Sequence, residues 1–131
     1  MFKCEICDPL IEGGVDRGVI PAERVLPAFR EFPWVEMLAK MKTAEEEAIH
    51  SSPTIAFTHV SDGHGLAISI VEDKEETVFY LFYNESDDSR ALDLLDQTAE
   101  ATTVVLEDFV AGHYDRVLEK FRPKRSWKFW K

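Results

Sequence analysis

Residues 54–83 hold three strand-like runs in close succession, TIAFTHV, GLAISIV and TVFYLFY, and they leave the chain few ways to fold. Pro53 precedes the first run, and Ser61-Asp62-Gly63-His64-Gly65 follows it with strong turn chemistry. In the second, Leu66, Ile68 and Ile70 alternate with Ala67, Ser69 and Val71, the period-two pattern of a strand with two unlike faces. Asp73-Lys74-Glu75-Glu76 makes the next turn. Connections this short join antiparallel neighbours, so the runs predict a meander. TVFYLFY is apolar on both faces, which suits a central strand covered on both sides, or on one side by a partner.

The flanking segments read less sharply. Pro9, Gly13, Gly14, Gly18, Pro21, Pro27 and Pro33 punctuate residues 8–33, predicting a looped N-terminal arm over 1–33 with at most one short helix near Ala22–Arg30. A helix opens at Pro33, with Trp34, Val35, Leu38, Met41 and Ile49 as its apolar stripe. Thr43 and Glu46 have capping-box spacing, so this helix breaks and restarts near Thr43. After the polar loop Asn84–Ser89, Arg90–Gln97 reads as a short helix with Leu92 and Leu95 inward, and Thr102–Val105 as a further strand. Leu106, Phe109, Val110, Tyr114, Val117, Leu118 and Phe121 then mark one face of a helix that has Glu107 and Asp108 in its first turn and is closed by Pro123. The expectation is one α+β domain over 1–131, an antiparallel sheet of four to five strands with helices packed on one face.

Size and composition agree with that. A chain of 131 residues with 45% hydrophobic residues is long enough to bury a core of its own. Cys4 and Cys7 are too close to staple a fold. The N-terminus lacks the apolar run of a signal peptide, and no stretch is apolar enough to span a membrane. A cytoplasmic protein with free thiols is expected.

Charge narrows the function. Of 15 basic and 25 acidic residues, residues 1–119 hold 9 and 25, or −16, while the last twelve hold six basic residues and no acid. A body this acidic is unsuited to nucleic acid or an anionic membrane and suited to a basic protein partner. Its carboxylates come in groups: Glu45-Glu46-Glu47, Glu72-Asp73 with Glu75-Glu76, Glu85 with Asp87-Asp88, and Asp93 with Asp96. Solvated helix and loop faces account for many such runs; a surface that docks into a basic cleft is the sharper reading. In the tail 122–131, basic residues mix with Trp127, Phe129 and Trp130, as in a terminal arm that covers the sheet and offsets the acidic body.

Catalytic and metal motifs are weak. Cys4-x-x-Cys7 lacks the second pair that a zinc site needs, and it does not open a helix as redox pairs do. His59 and His64 flank a turn holding Asp62, but no HExxH or nucleophile elbow accompanies them. No cofactor or metal is expected. A small enzyme or metal-binding domain using Cys4, Cys7, His59 and His64 is the runner-up reading.

The leading helix Trp34–Met41, the meander TIAFTHV / GLAISIV / TVFYLFY and the ending TTVVLEDFVAGHYDRVLEKFRPKRSW resemble small bacterial immunity proteins, the cytoplasmic antidotes to polymorphic and contact-dependent toxins. That resemblance implies stoichiometric inhibition of a cognate toxin, without catalysis. The residues expected to meet the partner are Asp62, His64, Glu72, Asp73, Glu75, Glu76, Glu85, Asp87 and Asp88, in turns on or after the meander. Self-association through Thr77–Tyr83, giving a homodimer, is a third reading.

Overall fold

The structure, a computed structural model, describes residues 1–71, 78–85 and 91–121. In chain order the elements are β1 (Phe2–Cys7), β2 (Val15–Ile20), a 3-10 turn (Ala22–Arg24), α1 (Val25–Glu31), α2 (Trp34–Thr43), a second 3-10 turn (Glu46–Ala48), β3 (Thr54–His59), β4 (Gly65–Val71), β5 (Val78–Asn84), β6 (Leu92–Gln97), α3 (Ala99–Val110) and α4 (Tyr114–Phe121). The fold is α+β. The meander is present as β3-β4-β5, within a six-stranded antiparallel sheet of order β2-β1-β3-β4-β5-β6.

Three of the six strands correct the sequence reading. Residues 1–33 are not a looped arm: β1 and β2 form a hairpin, and β1 pairs with β3 along its whole length, from Phe2 opposite His59 to Cys7 opposite Thr54. The prolines and glycines around residues 8–14 belong to the hairpin connection. There Asp8 accepts the Leu10 amide at 2.9 Å and the Lys40 ammonium at 2.9 Å. Residues 92–97 are likewise an edge strand, not a helix, and Leu92 and Leu95 are exposed rather than inward. The free edge of β5 needs hydrogen-bond partners, and pairing with β6 supplies them over a weak local helix pattern. The pairing is irregular between Phe79 and Leu81, and Asp96 adopts a φ of 58°.

The C-terminal helices differ as well. Thr102–Val105 lies inside α3, where the Thr98 hydroxyl caps the helix by accepting the Ala101 amide at 3.1 Å. Burying Thr102, Val105, Leu106 and Phe109 along one stripe outweighs the β propensity of the Thr and Val pairs. The single long helix is two, parted at Gly112 (φ +79°), a left-handed conformation that ends α3. Glu107 and Asp108 thus lie near the end of α3, and Asp108 faces His113, Arg116 and Lys120 at 3.7–4.0 Å. Pro123 and the rest of the tail 122–131, expected to cover the sheet, lie outside the described residues. In α2, Trp34 and Met37 are buried while Val35 is exposed. Thr43 caps nothing ahead of it; its hydroxyl donates back to the Ala39 and Lys40 carbonyls as the helix ends.

Register separates the sheet into two faces. Phe2, Cys4, Ile55, Phe57, Leu66, Ile68, Ile70, Phe79, Leu81 and Tyr83 share the inner face and are buried. The helices pack on this face. Phe29 of α1 and Trp34 of α2 meet the Phe79 ring at 5.3 and 5.2 Å, and Phe121 of α4 meets Tyr83 at 5.8 Å. The indole of Trp34 donates to the Phe29 carbonyl at 2.9 Å, which ties α2 to α1. Among the described residues no helix is long and apolar enough to cross a membrane.

Candidate functional site

The β3–β4 turn holds two of the expected site residues, Asp62 and His64. Gly63 takes a φ of +82°, which a side chain would strain, and so closes the turn tightly. Asp62 then accepts the His64 amide at 3.1 Å through one oxygen and the Tyr114 hydroxyl at 2.8 Å through the other. The His64 ring stacks on Tyr114, with centroids 3.7 Å apart and planes within 2°. Its Nδ1 lies 2.6 Å from the hydroxyl of buried Tyr83. His59 Nε2 is 2.8 Å from the Phe109 carbonyl; a carbonyl only accepts, so this nitrogen carries the proton.

Ionisation follows from these contacts. Burial works to raise the Asp62 pKa, but donation from the His64 amide and the Tyr114 hydroxyl, with the nearby imidazoles, brings it below the ordinary carboxylate value. Burial, helped by the charges of Glu85 and Asp62, pushes Tyr83 up to about 12. Burial and the bond to the Asp62 carboxylate raise Tyr114 too. Both phenols stay neutral at physiological pH. The groups satisfy one another, and what they do is fasten α4 to the β3–β4 turn.

Glu85 is exposed and directly follows β5. Glu72, Asp73, Glu75, Glu76, Asp87 and Asp88 lie outside the described residues. The strands that carry them are informative nonetheless. Gly65 pairs with Asn84 at one end of the β4–β5 ladder and Val71 with Val78 at the other. Six residues of strand span about 20 Å. Asp62, His64 and Glu85 therefore attach at one end of the sheet, and residues 72–77 join β4 to β5 at the opposite end.

The cysteine and histidine set does not converge either. Three residues apart on a strand, Cys4 and Cys7 point to opposite faces, the first buried and the second partly exposed. Burial raises both thiol pKa values; Arg17 partly opposes it at Cys4, and Glu5 adds to it at Cys7. Among the described residues no group of three His, Cys, Asp or Glu side chains could hold a metal ion.

The outer face of the sheet escaped the residue-by-residue reading. Register places Asp16, Glu5, Ala56, Ala67, Phe82 and Asp93 in one row from β2 to β6, and Cys7, Thr54, Ser69 and Tyr80 in the next. None of these side chains is buried. Phe82 and Tyr80 stand over alanines and hydroxyls, with Thr54 and Ser69 bonded to each other at 2.7 Å. Glu5 and Asp16 lie at one margin of this apolar strip and Asp93 at the other. The signal for it was the TVFYLFY run, apolar on both faces. The chain matches no protein-family model, no curated protein and no solved structure.

Proposed function

We propose that the chain is an acidic, non-catalytic binding module that captures a basic protein, in the manner of an immunity protein that inhibits a cognate toxin by covering its active site. The observation that carries this reading is the outer sheet face, where Tyr80 and Phe82 lie partly exposed, with no helix among the described residues packed over them, between Glu5 and Asp16 on one side and Asp93 on the other. Aromatic side chains at the centre of a patch anchor contacts, and carboxylates at its rim steer a cationic partner and fix its orientation. The −16 charge of residues 1–119 extends that steering over the whole body. The helix at Trp34 and the meander, two parts of the likeness to immunity proteins, are in place, whereas Thr102–Val105 is helical where that likeness has a strand.

The test starts with recovery of the partner from the native host by crosslinking, followed by association kinetics at two salt concentrations. Reversing Glu5, Asp16 and Asp93 to Lys should slow association at low salt by about tenfold or more. That difference should shrink once salt shortens the Debye length to about 8 Å. Replacing Tyr80 and Phe82 by Ala should instead hasten dissociation. An acidic partner, or unchanged kinetics in both variants, defeats the reading. The same partly exposed aromatics support a second one, a homodimer through β5. Light scattering decides it: a dimer that Phe82→Lys splits into monomers would put self-association first.

A further inference from the structure

Between the β1–β2 hairpin and helices α1 and α2 lies a cavity of about 380 Å³. It opens on the helical side of the sheet, away from the outer face. Cys4, Ile6, Ile20, Phe32, Met37 and Ile55 form its apolar wall. The charged residues lining it are Arg17, Arg24 and Glu31, all exposed toward solvent at the mouth. A space of this size lies in the range that small-molecule sites occupy, and an apolar wall with a few polar groups at one end is how such sites orient a ligand.

The charge at the mouth favours one kind of head group. Residues 1–119 carry only nine basic residues, and two of them line this cavity. Arg24 lies 3.9 Å from Glu31, but both side chains are more than half exposed, and pairs of that kind contribute little. Arg17, where the β1–β2 register shifts between Asp16 and Val19, adds a second guanidinium to the lining. A carboxylate is the planar anion that a guanidinium fork fits best. The Cys4 thiol, at 4% exposure, adds apolar contact within the wall.

From the apolar wall and the two guanidinium groups in its lining we infer that this cavity binds an apolar monocarboxylate, its hydrocarbon or aryl body against Cys4, Ile20, Met37 and Ile55 and its head on Arg17 and Arg24. The inference does not depend on the outer-face reading, since the two surfaces lie on opposite sides of the sheet.

Decanoate is a suitable probe, with decanol and decyltrimethylammonium as head-group controls on the same chain. Titrated to about 1 mM, decanoate should shift the amide resonances of Ile6, Ile20, Ala28 and Met37 and bind about tenfold tighter than decanol, the difference one charged pair makes. Arg17→Gln should weaken it by about tenfold, and Arg24→Gln similarly, both with unchanged melting temperature because the side chains are on the surface. Bound decanoate should slow modification of Cys4 by a thiol reagent while leaving Cys7, on the other face, unprotected. Equal binding of all three probes, indifference to both arginine variants, or shifts confined to the outer face would each overturn the assignment.

Discussion

β5 presents the same kind of residue on both its faces, with opposite outcomes. Phe79, Leu81 and Tyr83 point inward and are at most 3% exposed. Val78, Tyr80 and Phe82 point outward and remain partly exposed. The inner rings meet helices: Phe79 touches Phe29 and Trp34, and Tyr83 lies within ring-contact range of Phe109 and Phe121. The outer rings meet a floor of Ala67, Ser69, Ala56 and Thr54, side chains too short to enclose them. Hydrophobicity along a strand therefore does not decide which face is covered; the landing of the helices does. A strand apolar on both sides, in a sheet that the described helices cover on one face, has surface left over for other groups to meet.

The largest effect should come from comparing the two faces directly. Phe79→Ala should cost about 3–5 kcal/mol, since it empties a site among Phe29, Trp34 and the sheet. Phe82→Ala should cost less than about 1 kcal/mol, as for a surface position without buried partners. Urea denaturation of the two variants measures the contrast. Equal losses would mean that the outer face is covered in solution and is no docking surface.

Tyr83 tests the inner face from its polar end. Tyr83→Phe removes the hydroxyl 2.6 Å from His64 Nδ1 and should cost about 1 kcal/mol at neutral pH. The pH dependence has a definite sign. The folded chain holds this phenol neutral up to about 12, above its ordinary value of 10. Its contribution is full below pH 10 and is lost as pH rises from 10 to 12. Stability of Tyr83→Phe should therefore fall less steeply over that window, with Tyr114 still contributing in both proteins. A matching slope would mean that Tyr83 ionises freely and that its ring is not enclosed.

Apolar runs bounded by turn residues made β3, β4 and β5 legible, with period-two alternation added in β4, because those features act over a few neighbours. Leu66, Ile68 and Ile70, expected on one face, are all buried there. Around Cys4 a short strand was legible, but the punctuation over residues 8–21 hid β2 and the hairpin, and the pairing that brings β1 into the sheet lies some fifty residues away in β3. β6 was hidden because an edge strand shows its apolar residues to solvent, and Leu92 and Leu95 then look like a helix stripe. The α3–α4 break was legible in principle: Gly112 sits where a left-handed residue ends a helix, but the stripe of apolar residues runs on across it. As for the site, acidic turns draw the eye because charge is local. Asp16, Glu5 and Asp93 share a row only through five successive strand pairings, which no window along the chain reveals. The aromatic half, Tyr80 and Phe82, was visible as TVFYLFY without an indication of which ring faced out.

The smallest effect separates a carboxylate used by the fold from one left on the rim. Asp62 has both oxygens engaged, by the His64 amide and the Tyr114 hydroxyl. Its pKa is lowered in the folded chain, so its contribution is present above the unfolded value near 3.9 and is lost as pH falls through the lower folded value. Asp62→Asn should flatten that part of the acid limb and lower stability slightly at neutral pH, since its single amide oxygen accepts from only one of the two donors. Asp8, bonded to Leu10 and Lys40, also has a lowered pKa and shapes the same limb, so Asp8→Asn is the control that assigns each share. Asp93 stands exposed on β6 beside Phe82. Asp93→Asn should leave the acid unfolding curve in place and slow capture of a basic partner at low salt. If Asp62→Asn slows capture as much as Asp93→Asn does, the partner reaches the β3–β4 turn, and the docking surface shifts from the outer face to that end of the sheet.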